Sequence, residues 1–221
     1  MKFFLYPVVF LMISIVSLNG QTNSFWSTGM DMVFSFADIK AQGVQGDAFI
    51  RWAPVVNFHA NFNTDFNENL GFFTGFGIRN VGYTYNDYRD PMTNIEYRKK
   101  FRTYNLCMPF ALKYGELSKW YIYAGYEIEF PFVYKEKTID NGDKINKITG
   151  WFSSRSNNFQ HGPFVGVRLP KGGNLTFKYY ISEFHNQDFK DSSGSKPYAG
   201  IDSHIFYFTV GYLFDHQYSM R

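Results

Sequence analysis

The sequence predicts an all-β chain, an eight-stranded antiparallel up-and-down transmembrane β-barrel, on three observations. First, apolar and mixed positions alternate over long runs. Arg102–Tyr134 is the clearest: after a tight turn at Gly115-Glu116-Leu117-Ser118, Trp120, Ile122, Ala124, Tyr126, Ile128, Phe130 and Phe132 take one parity. Tyr121, Tyr123, Gly125, Glu127, Glu129 and Pro131 take the other. Such alternation gives a strand one apolar and one mixed face. Second, aromatics make up 21% of the chain, with 26 Phe and 17 Tyr, and rings fit pleated surfaces. Third, connections of about four residues alternate with connections of about ten to twenty, as periplasmic turns alternate with extracellular loops in outer-membrane barrels.

The strands follow in order. Strand 1 is expected over Gly29–Ala37, with Met30, Met32, Phe34 and Phe36 opposite Asp31, Val33 and Ser35. Strand 2 spans Ala48–Phe62, with Trp52, Phe58 and Phe62 opposite Arg51, Ala53, Asn57, His59 and Asn61. Strand 3 spans Gly71–Tyr85. Its apolar parity passes from Phe72, Phe76 and Ile78 to Val81, Tyr83 and Tyr85, which a bulge near Asn80 would explain. Strands 4 (Glu96–Tyr114) and 5 (Lys119–Lys137) form the hairpin, in a register that pairs Tyr114 with Trp120 and sets Cys107 opposite Glu127 and Asn105 opposite Glu129. A long loop, Thr138–Asn158, leads to strands 6 (Phe159–Leu169), 7 (Asn174–His185) and 8 (Asp202–Phe214). An even number of strands with this alternation puts both termini in the periplasm.

Composition narrows the function classes. Residues 1–20 read as a secretory signal peptide, with Lys2 before the apolar run Phe3–Val16, leaving 21–221 as the barrel domain. The apolar run is shorter than the ~20 residues of a spanning helix. A net charge of +3 is too small to suggest nucleic acid as a partner. The single Cys allows no internal disulfide, and nothing in the spacing implies a cofactor.

Three stretches carry a family resemblance: Gly71-Phe72-Phe73-Thr74-Gly75-Phe76-Gly77-Ile78-Arg79-Asn80-Val81-Gly82, Arg98-Lys99-Lys100-Phe101-Arg102-Thr103-Tyr104 and Gly125-Tyr126-Glu127-Ile128-Glu129-Phe130-Pro131. With them, most of the mature chain resembles the small porin-like outer-membrane β-barrel proteins of the Bacteroidetes. Thr209-Val210-Gly211-Tyr212-Leu213-Phe214 is similar to the signal read by the barrel-insertion machinery, although Asp215-His216-Gln217 follows where that signal has an apolar end. The resemblance implies fold, outer-membrane location, and the membrane lipids and insertion machinery as partners. It implies little chemistry.

The candidate chemistry is weighed against structural roles. Glu127 and Glu129 share a face and could form an acid–base couple. Inside a narrow barrel they serve better as partners for buried cations, for which Arg51, Arg79, Arg168 and Lys178 are available, with His59 and Asn105 completing a lumen polar network. His161, His185 and His204 fall near the extracellular ends of three neighbouring strands. They fit a rim at the lipid headgroups, with a metal site or a lipid-hydrolase base as the sharper readings. Cys107 on the mixed face reads as a packing residue, since no activating base is visible from spacing.

The functional expectation is a non-enzymatic barrel acting in binding, adhesion or envelope structure through extracellular loops and protruding strands, toward an extracellular protein or surface ligand. An outer-leaflet lipid-modifying enzyme is the alternative. A soluble lipocalin-like carrier, with the apolar face inward, and a small pore follow. Periodicity does not say which face is inside.

Overall fold

The computed structural model describes residues 22–90 and 94–216. The expected signal peptide lies outside the described residues, as does the C-terminus beyond His216. Strands follow in chain order as β1 (Asn23–Ala41), β2 (Val44–Gln45), β3 (Ala48–Phe49), β4 (Arg51–Ala53), β5 (Phe58–Asp65), β6 (Leu70–Arg89), β7 (Glu96–Glu116), β8 (Trp120–Asp140), β9 (Asp143–Trp151), β10 (Gln160–Arg168), β11 (Gly173–Tyr179) and β12 (Ile201–His216). β1, β5, β6, β7, β8, β10, β11 and β12 pair antiparallel, each with the next, and β12 returns to β1. The result is a closed eight-stranded barrel with no free edge at its base.

The apolar faces point outward. Met30, Phe76, Leu112 and Tyr114 are each more than half exposed, and Met108, Phe110, Ile122, Phe208 and Val210 are exposed beside them. Asp31, Asn61, Glu127, Glu129 and Lys178 turn inward and are buried. This inverted arrangement removes the soluble-carrier reading, which needed the apolar face inside. Inward glycines make room for the lumen side chains. A Cβ on Gly211 would sit 1.9 Å from the Asp31 carboxylate, and one on Gly166 would sit 2.3 Å from the Tyr123 ring.

Four sequence expectations change. The β7–β8 hairpin is tighter than predicted: Tyr114 pairs with Ile122, Glu116 with Trp120, Cys107 with Glu129 and Asn105 with Pro131. The ladder runs two residues further before a turn closed by Lys119 N–H on the Glu116 carbonyl, 2.8 Å. A shift of two preserves the faces, so both glutamates still point inward. No bulge occurs at Asn80, where the β6–β7 register is unbroken from Gly77 to Tyr85. Val81, Tyr83 and Tyr85 are buried on the same parity as Arg79, because the lumen itself turns from polar to apolar at that height. The irregularity sits instead in strand 2. It splits at Pro54–Asn57 into β4 and β5, with Val56 at φ 64°. There Asn57 Oδ1 accepts from Asn80 N–H at 2.7 Å, and Arg51 donates to the Asn80 carbonyl at 3.2 Å, meeting backbone groups that the split leaves unpaired. Finally, Thr138–Asn158 is no plain loop: β8 turns through Asn141-Gly142, both at positive φ, into β9.

Candidate functional site: a filled lumen beneath a basic wall

At the height of the outer apolar belt the lumen holds a charged cluster. Lys178 of β11 lies 2.8 Å from Glu127 and 2.5 Å from Glu129 of β8. Glu129 also accepts from the Tyr180 hydroxyl at 2.7 Å and from Asn105 Nδ2 at 2.6 Å, and Asn105 reaches Gln160 at 2.9 Å. Arg79 of β6 pairs with Asp31 of β1 and stands 3.7 Å from Glu127, and His59 Nδ1 is 3.3 Å from the same Asp31 carboxylate. Seven strands thus supply one network in which each buried charge faces an opposite one, the condition on which a buried ion pair is tolerable.

The network draws in residues that the sequence reading passed over: Asp31, Tyr180 and Gln160. Parity places Asp31 on the inward face and Tyr180 on the face of Lys178, so their partners were open to inference. Gln160 opens its strand, where parity has little run to rest on. Arg51 and Arg168 stand apart from this cluster. Arg51 binds Asn80 at the β4–β6 seam, with a 2.5 Å contact to its side chain. Arg168 pairs with Asp215 at 3.0 Å beside the turn end of the barrel. Nearer that end, Lys113 meets Asp65 at 2.5 Å and Asn63 at 3.1 Å. Phe73, Tyr121, Tyr123 and Phe164 pack together in this part of the lumen, with Lys113 Nζ 5.3 Å from the centre of the Tyr121 ring. The cavity remaining beside Asp31, Arg79 and Glu127 is about 30 Å³, room for about one water. Cys107 is buried against this lumen.

Above the network the lumen is apolar and aromatic. Val33, Ile39, Val81, Tyr83, Phe101, Ile205 and Tyr207 fill it, and the segment between β11 and β12 folds over it with Phe184, His185 and Tyr198 inserted. Here the expected histidine rim is corrected. β11 stops at Tyr179, and His185 turns into the mouth, 1% exposed, with Nε2 2.7 Å from the Tyr83 hydroxyl and its ring stacked on Tyr198. Burial pushes its imidazole down to about 3. His161 and His204 lie elsewhere: His161 Nδ1 is 2.5 Å from the Tyr126 hydroxyl, and His204 Nε2 is 3.4 Å from Glu183. The three do not converge, and the Ser182 hydroxyl accepts from the His161 backbone N–H.

β6, β7 and β8 continue past the apolar belt, and β9 pairs only with β8, so they stand as a wall with β9 at its edge. On its inner face Lys99 and Glu136 pair at 2.8 Å, and the Tyr198 hydroxyl donates to Glu136 at 2.7 Å. Burial would raise the Glu136 carboxyl, but Lys99 and these hydrogen bonds outweigh it and hold it below its usual range. On the outer face Lys100 stands directly opposite Lys137, Lys137 opposite Lys147, and Arg102 opposite Lys135. Partial burial first, and then Arg102, Lys144, Lys147 and Lys100, hold Lys137 below the usual lysine range.

No protein-family model and no curated protein matches the chain. Among solved structures it is similar to Ail, the attachment invasion locus protein of Yersinia pestis, in complex with the heparin analogue sucrose octasulfate, at 11% identity over 86% of this chain and 99% of that one, TM-score 0.39. It is also similar to Neisserial surface protein A, at 11% identity over 87% and 97%, TM-score 0.38. A third is the outer membrane protein OprG from Pseudomonas aeruginosa, at 11% identity over 87% and 96%, TM-score 0.37. At these values the likeness is one of general shape.

Proposed function

We propose that the chain is an outer-membrane barrel that conducts nothing and acts as a binding or adhesion surface through its extracellular wall. One observation carries the reading: the outer surface divides by height. From Tyr114 to Leu106 the outward residues of β7 are Tyr114, Leu112, Phe110, Met108 and Leu106, all exposed and apolar. From Arg102 to Arg98 they are Arg102, Lys100 and Arg98. The apolar run matches the ~9–11 tilted residues with which a strand crosses a bilayer. The cations then fall outside it, and the short β7–β8 turn lies in the periplasm. Eight strands enclose a space that side chains can fill, and here the lumen residues fill it from Phe73 to Phe184.

The chain should remain in a carbonate-washed outer-membrane fraction, and protease added to whole cells should cut within residues 138–158. Cleavage only after the outer membrane is broken would reverse the topology. Regular single-channel steps from refolded protein in planar bilayers would move it to the pore-forming class.

A further inference from the structure

We propose that the outward face of the β7–β8 seam binds a phosphorylated lipid of the outer leaflet, its acyl chain in a groove of Ile78, Leu106, Phe130, Phe132 and Phe152 and its phosphate on Arg102 and Lys135. The site rests on the reading of the barrel as an outer-membrane protein and names the ligand that its lower wall would hold.

The groove is built by a local break in the sheet. The β7–β8 register slips between Tyr104 and Asn105: Tyr104 pairs with Val133 and Asn105 with Pro131, leaving Phe132 without a partner in the ladder. Pro131 has no N–H to give to the ladder, and bulges are where strands accept proline. The Phe132 carbonyl instead accepts from Phe152 N–H at 2.9 Å. Phe152 stands at φ 45°, a costly conformation for a residue without a local polar side chain, and its ring is 78% exposed. The backbone is thus held in an unfavourable region while presenting an aromatic ring outward at the top of the apolar belt. Ile78, Leu106, Phe130, Pro131, Phe132 and Phe152 line the groove with Asn158 as its one polar member. A peptide backbone would find few hydrogen-bond partners there, whereas an acyl chain needs none.

The cations are placed for a headgroup. Tyr104 is the next outward residue above Leu106, and its ring carries Lys135 Nζ at 4.9 Å and the Arg102 guanidinium at 5.8 Å. Arg102 and Lys135 are directly opposite across the ladder, with Cβ atoms about 5 Å apart. Lys100 and Lys137 repeat the arrangement one step higher. Like charges opposite one another destabilise a sheet, and among the described residues no carboxylate forms an ion pair with any of these four. A phosphate between Arg102 and Lys135 supplies the missing counter-charge, and a second on the same headgroup would reach Lys100 and Lys137.

Native mass spectrometry of the full mature protein in a neutral detergent tests the site, with bis-phosphorylated lipid A, phosphatidylcholine and inorganic pyrophosphate as probes. The expected result is one retained lipid A, binding at least tenfold weaker in Arg102→Gln/Lys135→Gln and in Phe132→Ser/Phe152→Ser, and unchanged in Lys171→Gln at the opposite end of the barrel. Near-UV circular dichroism reports the fold of each variant, and Lys100→Gln/Lys137→Gln, higher on the exposed face, gives a second, smaller loss if the first pair disturbs it. Undiminished binding by both cation variants overturns the proposal. So does equal retention of phosphatidylcholine, which leaves no role for phosphate, or displacement by pyrophosphate at equal concentration, which indicates a free-anion site. Absence of the protein from the outer-membrane fraction would defeat the reading of location and leave this detergent measurement standing on its own.

Discussion

The lower and upper halves of this barrel solve opposite problems with the same strands. In the lower half the outside is apolar and the inside charged: Met108 and Phe110 face out while Glu129 and Lys178 face in. In the upper half the outside is charged and the inside mainly apolar and aromatic: Lys100 and Arg102 face out while Phe101 and Tyr83 face in, beside the paired Lys99 and Glu136. β7 runs through both halves without changing parity. On the outer-membrane reading proposed above, what changes is the medium outside. Against hydrocarbon an exposed charge is expensive, so charge is confined to the lumen and must be paired there. Against water the ordinary rule returns, and burial of rings stabilises the wall and seals the mouth.

The largest effect should come from unpairing the lower lumen. Lys178→Met leaves Glu127 and Glu129 facing each other without their shared cation, and should cost ~3–5 kcal/mol in detergent unfolding. A near-neutral result would mean that the network is wetter than its burial implies. Next, Met108→Arg places a charge at mid-membrane and should cost ~2–4 kcal/mol in a bilayer. The same substitution at Thr149, on the outer face of the wall, should cost little, and equal costs would erase the distinction between the halves.

The third test is a pH profile. His185 has its imidazole held down to about 3 by burial, below the ~6.5 of an unfolded chain. Between these values the unfolded state binds the extra proton, so stability falls as pH falls below ~6.5. From pH 7 to 5 the loss should be about 2 kcal/mol, and His185→Gln should flatten that slope. The smallest effect belongs to the wall: Lys137→Gln relieves repulsion with Lys100 and Lys147 and should stabilise by ~0.2–1 kcal/mol at low salt, the gain shrinking as salt screens the charges.

Face assignment was legible in the sequence because alternation survives a two-residue register error, and the shift from Tyr114–Trp120 to Glu116–Trp120 moved no side chain across the wall. The direction of the faces was not legible in the period, which is blind to inside and outside; it followed from reading the chain as a transmembrane barrel, which puts Met108 and Phe110 out and Glu127 and Glu129 in. The change of lumen chemistry with height misled the reading of strand 3, where apolar residues on the mixed parity resembled a slip at Asn80. β9 carried a readable signal, Asn141-Gly142, the strongest short hairpin cue, but its exposed residues lack clean alternation. His185 was misplaced because β11 ends at Tyr179 and parity says nothing of a side chain once its strand has stopped. The charged cluster was partly readable through Glu127, Glu129, Arg79 and Lys178, but the preference of Arg79 for Asp31 depends on lumen distances that no spacing encodes.

Cysteine labelling on intact cells tests the central claim most directly, because the native Cys107 is buried and leaves a silent background. Single cysteines at Lys147, Phe110 and Ser118 are treated with a membrane-impermeant maleimide before and after the outer membrane is permeabilised. The account predicts immediate labelling at 147, labelling at 118 only after permeabilisation, and none at 110 in either state. Labelling of 118 on intact cells, or of 110 at the rate of 147, would contradict a barrel whose belt spans the membrane and whose basic wall stands outside it.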